Sequence, residues 1–447
     1  MEPVCPLDFR YGRNEMKEVL NHRARVQRCL DVEAALARAQ AAVGDIPKAA
    51  AKEITRKASL KHVSMERIEE IERSVRHDIM AMVRVLSDEC GKDAGKYVHL
   101  GATSYDIVDT ALALQMRDAL DILEGSLDSL IMALSDKAGR YRDLVMVGRT
   151  HGQYAVPITL GLKLAVWVAE LRRHKRRLKE MRPRLLVGKM SGAVGTGAAL
   201  GEHAFEIEGL VMKDLGLGAE EAATQIVQRD RMIELFCNLS NLSVTIEKMA
   251  TEVRTLQRSE IGEVSEPFDE SRQVGSSTMS HKRNPITCEN ITGLSRTLRG
   301  FLVPEFESGI QWSERDLSNS STERFVLPHM LILADDIVSK MTDVISGLVV
   351  SQERIERNLE EAGEVIMAES VIMLLCGKGM GRQEAHEVTR KAAMEYYSGK
   401  PYRQVLLRER SVKELITEEE LDSALDPKNY IGKAAERVDR ILKSRSP

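Results

Sequence analysis

Between residues 232 and 256, apolar side chains recur at alternating steps of three and four: Met232, Leu235, Leu239, Leu242, Ile246, Met249, Val253 and Leu256. A helix turns once in 3.6 residues, so this spacing places them all on one face for almost four heptads. A seam of that length needs near-parallel helical neighbours along its whole run. The chain supplies them. One further stripe runs Leu112, Met116, Ala119, Leu123, Leu127, Leu130, Leu134, and another Val326, Met330, Leu333, Ile337, Met341, Val344, Leu348. Proline is absent from 48 to 156, from 184 to 266 and from 329 to 400, so nothing interrupts long helices there. Aromatic residues are only 4%, and no segment joins strand alternation to a hairpin turn. The expected fold class is all-α, an elongated helical bundle with little sheet.

Shorter helical patterns flank the bundle. Those at 14–42 and 64–90 are separated by Gly44-Asp45-Ile46-Pro47, and Thr103 to Asp106 has the spacing of a capping box that starts the first long helix. Beyond Leu348 the patterns shorten to 352–361, 364–376 and 381–397, ahead of a break at Lys400-Pro401. The expected domains are an N-terminal helical one over 1–106, the central bundle over 107–350 and a small helical one over 351–447. No repeat of fixed period is visible.

Composition narrows the function. The net charge of −4 gives no reason to expect a nucleic acid or an anionic membrane as partner. The basic run Arg172–Arg177 is expected to be a solvated helix face. Six cysteines lie far apart without a CxxC pair, which suits free thiols in a reducing compartment. With no apolar leader and no membrane-length run, the expected location is the cytoplasm.

Gly195-Thr196-Gly197-Ala198-Ala199-Leu200-Gly201 is not a dinucleotide fingerprint, because its third glycine falls one residue late and no βαβ pattern surrounds it. No P-loop, HExxH or zinc spacing occurs, so chemistry without metal or cofactor is expected. What remains is polar and concentrated. The segment Gly275-Ser276-Ser277-Thr278-Met279-Ser280-His281-Lys282-Arg283-Asn284-Pro285 has neither helical nor strand period and carries hydroxyls, a cation, an imidazole and an amide. Three histidine settings accompany it: His77-Asp78, His99 with Thr103-Ser104, and Arg149-Thr150-His151-Gly152-Gln153. Between Glu314 and Arg324, arginines interleaved with hydroxyls suit a phosphate or carboxylate.

The serine-rich loop resembles the SSxMPxKxN signature of the fumarase/aspartase superfamily, whose members eliminate fumarate or a close analogue from a substituted succinate. The resemblance implies three helical domains, a central bundle forming the core of a homotetramer, and active sites shared between subunits. Ser280 stands where the family usually has proline, and a serine there stiffens the loop less. From residue 10 to about 325, the motifs are most similar to those of the superfamily branch that acts on succinylated purine nucleotides.

By that resemblance Ser276 is the base, and Lys282 and Asn284 stabilise the carboxylate on which charge develops. His151 protonates the departing nitrogen with Glu289 orienting its ring, although His99 also lies in a matching motif and either could give the proton. His99, Thr103, Ser104 and Gln225 are implied to hold the succinyl end, and Asn290 to bind substrate. Arg10, Tyr11, Arg315, Ser320 and Arg324 are implied at the phosphate, with His77 and Asp78 on the nucleotide side. Argininosuccinate lyases and carboxymuconate cycloisomerases share the serine loop but bind no phosphate, so the arginine motifs tell against them. A structural protein of this fold without turnover is a further alternative.

Overall fold

The computed structural model describes residues 4–269, 271–275 and 278–444. Helices dominate it, the longest being Ser104–Arg140, Leu160–Leu185, Asp230–Leu256 and Ser318–Ser346. Their positions follow from the apolar stripes. Every residue of the 232–256 seam is buried, as is every residue of the 326–348 stripe. In the first stripe only Leu112 is partly exposed. The expected start at Thr103 also holds: the Asp106 carboxylate reaches back to accept the Thr103 N–H at 2.8 Å, the half of a capping box that ties the turn to the helix.

By internal contacts the chain forms two compact units. The first comprises 1–128, 174–246 and 293–339. Its core is built on the helices His22–Val43, Lys48–Lys57 and Asp78–Gly95, with Leu30, Leu36, Ile54, Met82 and Leu86 fully enclosed. The second comprises 129–173, 247–292 and 340–447. It contains a separate core around Met367, Val371, Leu375, Tyr402, Val405 and Leu421.

Sheet is minor, as expected, yet one piece of it matters for the site. Val145–Thr150 and Gln153–Thr159 form an antiparallel hairpin whose two-residue turn is His151-Gly152. Both turn residues have positive φ, 55° and 75°, the requirement of a turn whose twist matches the strands it joins. Arg149 anchors the hairpin with two hydrogen bonds to buried Glu263, at 2.9 and 2.7 Å, and Asn358 donates to the same carboxylate at 2.9 Å. Sequence periodicity missed this hairpin because its strands, short and only partly buried, do not alternate cleanly. The run Arg172–Arg177 meets expectation only in part: Arg173 and Arg176 are exposed, but His174 is buried and bonded to the Thr245 hydroxyl at 2.9 Å, and Arg172 donates to the Ile441 carbonyl at 2.5 Å. Those last two side chains tie helices together rather than facing solvent.

Candidate active site

The first unit gathers eleven of the site residues expected from sequence: Arg10, Tyr11, His77, Asp78, His99, Thr103, Ser104, Gln225, Arg315, Ser320 and Arg324. His77 caps the Asp78–Gly95 helix, its Nδ1 accepting the Met80 N–H at 3.3 Å. That bond leaves the proton of the neutral ring on Nε2, which lies 3.3 Å from the Ser104 hydroxyl. Asp78 pairs with Arg324 at 3.0 Å and Arg25 at 3.6 Å. Burial works against its charge, but Arg25, the Ile79 N–H and Arg324 together hold its pKa below the usual carboxylate value.

Arg315 is engaged rather than open. Its guanidinium lies 3.5 Å from the centre of the Tyr105 ring and donates to Gln225 Oε1 at 2.8 Å, while Gln225 donates to the Ala193 carbonyl at 3.1 Å. Arg10 is exposed and Tyr11 half-buried. Both stand beside Gly12, where φ is +86° and a β-carbon would come 2.3 Å from Ile332, so only glycine lets the chain pass. Arg13 then binds Asp335 at 2.8 Å, fixing this corner to the Ser318–Ser346 helix that also carries Ser320 and Arg324.

Sequence reasoning missed two buried supports here. Glu33, 1% exposed, pairs with His99 Nδ1 at 2.6 Å. Asp106 pairs with fully buried Lys189 and accepts the N–H groups of Ser191 and Gly192, at 3.0 Å and at 3.1–3.2 Å. A signal for Glu33 existed: it sits at the step Leu30, Glu33, Leu36, Gln40, a charged residue within an apolar helical face.

The second unit holds the signature loop and the residues that follow it. Ser276 and Ser277 lie outside the described residues. Lys282, Asn284 and Glu289 line one cleft of about 1090 Å³, together with Arg254, Arg258, His281, Arg283 and Glu266. The loop is pinched at its base. A β-carbon on Gly275 would lie 1.9 Å from the Lys282 carbonyl oxygen, and Asn284 donates to the Gly275 carbonyl at 3.1 Å. Arg283 rests on the Phe268 ring, 5.3 Å from its centre, and Gln257 donates to the Arg283 carbonyl at 3.2 Å.

The same glutamine accepts the N–H of Glu266, whose buried carboxylate takes the N–H groups of Thr287 and Cys288 at 3.1 and 3.0 Å. Glu266 therefore caps the Ile286–Gly300 helix on which Glu289 and Asn290 stand. Asn290 Oδ1 is buried without a hydrogen bond among the described residues. His151 is exposed at the hairpin tip. The expected His151–Glu289 pair is not formed within one chain among the described residues, because the turn carries the imidazole outward.

The cleft is lined by four cationic side chains, Arg254, Arg258, Lys282 and Arg283, of which Arg258 already pairs with Glu260, and by two carboxylates, of which Glu266 is already occupied by backbone donors. Such a wall suits an anion. Among the described residues no cluster of side chains is arranged for a metal ion, and no helix is long and apolar enough to cross a membrane.

The fold is largely helical, and the family model described as Lyase matches residues 8–300. A second, described as Adenylosuccinate lyase C-terminus, matches residues 364–441. The chain is 49% identical to an adenylosuccinate lyase of Pyrococcus horikoshii, over 98% of this chain and 97% of that one. It is 46% identical to that of Methanocaldococcus jannaschii, over 99% and 96%. Among solved structures, a fumarate lyase from Mesorhizobium sp. BNC1 superimposes with a TM-score of 0.90 at 34% identity, covering 99% of this chain and 100% of that one. A 3-carboxy-cis,cis-muconate lactonizing enzyme from Pseudomonas putida gives 0.88 at 34%, covering 98% of each. The chain belongs to the adenylosuccinate lyase family, within the fumarase/aspartase superfamily.

Proposed function

We propose that this protein eliminates fumarate from adenylosuccinate to give AMP, and from succinyl-aminoimidazole-carboxamide ribotide in the same way, in purine nucleotide biosynthesis. The observation that carries the reading is the cationic cleft in which Lys282, Asn284 and Glu289 meet. The cleft suits a substrate bearing two carboxylates, and the family's adenylosuccinate lyases supply its identity.

The chemical difficulty is a weakly acidic proton on the carbon beside a carboxylate. Ser276, as alkoxide, takes that proton. The electron pair passes into an aci-carboxylate, which Lys282 and Asn284 stabilise by charge and hydrogen bond. The pair then returns to form the double bond as the carbon–nitrogen bond breaks, and the departing nitrogen takes a proton from His151 or His99. His99, Thr103, Ser104 and Gln225 hold the succinyl end. Arg10, Tyr11, Ser320 and Arg324 meet the phosphate, with Arg315 acting through Gln225. Closure of the loop over 262–284 excludes water.

A homotetramer with shared active sites, in the cytoplasm, completes the proposal. His151, exposed at a hairpin tip and unpaired with Glu289 in its own chain, is then free to serve a site with residues of another copy.

The cycloisomerase reading has its support in the muconate lactonizing fold match, but that identity, 34%, is well below the 49% to the lyases. Spectrophotometric assay of the purified protein with adenylosuccinate, argininosuccinate and carboxymuconate separates the readings. Turnover of the first alone is expected. Turnover of carboxymuconate, or of none in a folded protein, overturns the proposal.

A further inference from the structure

We propose that Glu33 is a positioning residue for His99, locking its imidazole with Nδ1 protonated so that Nε2 can meet a substrate carboxylate. The nature of that carboxylate rests on the function proposed above; the pairing itself does not.

Glu33 lies on the His22–Val43 helix among Leu30, Leu36 and Ala37, where a lone carboxylate would be costly to bury. His99 is its one hydrogen-bond partner among the described residues, at 2.6 Å, and the second carboxylate oxygen is buried without any. One heptad further along the same helix, Gln40 donates to the Leu100 carbonyl at 2.8 Å. Two buried polar side chains of one helix face thus clamp two consecutive residues of a turn.

The turn itself is constrained. His99 has φ +61°, a left-handed conformation that persists only where its surroundings enforce it. Gly101 follows with φ +75°, and a β-carbon there would approach Leu200 Cδ2 to 2.7 Å and the Ala199 carbonyl oxygen to 3.0 Å. With Nδ1 committed to Glu33, Nε2 is the ring nitrogen left for a ligand. Thr103 and Ser104 lie just beyond in the same turn, so an imidazole and two hydroxyls come from one short segment.

The charged groups facing the ring are Glu33 from its own helix and Asp106 from the Ser104–Arg140 helix, the latter paired with Lys189. Burial, the largest influence, disfavours the imidazolium, yet the charge and hydrogen bond of Glu33 and the charge of Asp106 outweigh it, so the ring's pKa is raised. The ring therefore stays protonated to higher pH than an isolated histidine, and substrate affinity is expected to fall as pH rises through that raised pKa.

Two measurements test this. Selectively labelled histidine NMR of the resting protein, with His99 assigned from the His99→Gln spectrum, reads the ring directly. In Glu33→Gln the His99 titration is expected at lower pH. In steady state with adenylosuccinate, the rise in KM with pH should move down with it, KM between the two titrations increasing about tenfold or more while kcat changes less. Glu33→Asp should restore part of the shift and stands in if Glu33→Gln does not fold. In a His99→Gln background, Glu33→Gln should add nothing. An unchanged His99 titration, or an equal loss in that background, overturns the proposal. If adenylosuccinate is not turned over, the titration still decides the Glu33–His99 pairing by itself.

Discussion

Replacing Glu305 with glutamine should make the protein lose less stability than the parent as pH rises from acid to alkaline. Glu305 belongs to the Leu302–Ser308 helix, is fully buried, and has no hydrogen bond to either carboxylate oxygen among the described residues. The neighbouring cation is already committed. Arg229 binds Asp109 at 2.9 and 3.0 Å and Glu323 at 2.6 and 3.1 Å, and Asn319 adds a bond to Glu323 at 2.9 Å. A third ionised carboxylate beside one guanidinium would be unmatched. Burial and then the charge of Glu323 push the Glu305 carboxyl up from 4.5 to about 8, with Arg229 opposing.

The sign and size follow from linkage. Below pH 4.5 the carboxyl is protonated in both folded and unfolded chains and contributes no pH dependence. Between 4.5 and about 8 the unfolded chain releases the proton and the folded one keeps it, so stability declines as pH rises, then levels off. At about 1.4 kcal/mol per pH unit, the decline reaches at most roughly 5 kcal/mol. Glutamine keeps the shape, does not titrate, and removes that decline. Its amide still has to be buried, so the two proteins differ at pH 5 by an offset of either sign. The informative quantity is the change in their difference. Urea unfolding of both at pH 5 and pH 8.5 should show the glutamine variant gaining about 2–5 kcal/mol relative to the parent at the higher pH. A difference that does not vary with pH would refute the reasoning, because groups other than Glu305 titrate alike in both.

Three other perturbations address the site. Ser276→Ala should abolish turnover of adenylosuccinate while leaving AMP binding by calorimetry largely intact; parent-like turnover would remove Ser276 as base. Arg324→Ala should raise KM far more than it lowers kcat, since a phosphate is held alike in ground and transition states, and an unchanged KM would move the phosphate site elsewhere. Glu266→Ala strips two N–H groups of the Ile286–Gly300 helix of their acceptor and should lower unfolding stability by about 1–2 kcal/mol, with kcat falling as Glu289 and Asn290 lose their fixed base. A variant of parental stability and rate would show that water replaces the cap without consequence.

The long helices were legible because a seam such as Met232 to Leu256 repeats one physical demand, burial of one face, over many turns, and a single misplaced residue cannot hide it. The hairpin at 145–159 was not, because a two-residue turn with positive φ is a local demand that histidine followed by glycine satisfies without announcing it. The site divides in the same way. Lys282, Asn284 and Glu289 belong to one short stretch of chain and meet in one cleft, so proximity in sequence already implied proximity in space. Glu33 reaches His99 across 66 positions, and Asp106 reaches Lys189 across 83. Contacts of that kind leave only an indirect trace, a charged residue where the helical period demands an apolar one. Glu33 at the step after Leu30 carries that trace, as does Glu305 in a helix whose neighbours Val303 and Phe306 are exposed. An interior charge out of phase with its helix is costly unless something meets it. It therefore marks either a partner, as His99 is for Glu33, or a proton held against its usual tendency to leave, as at Glu305.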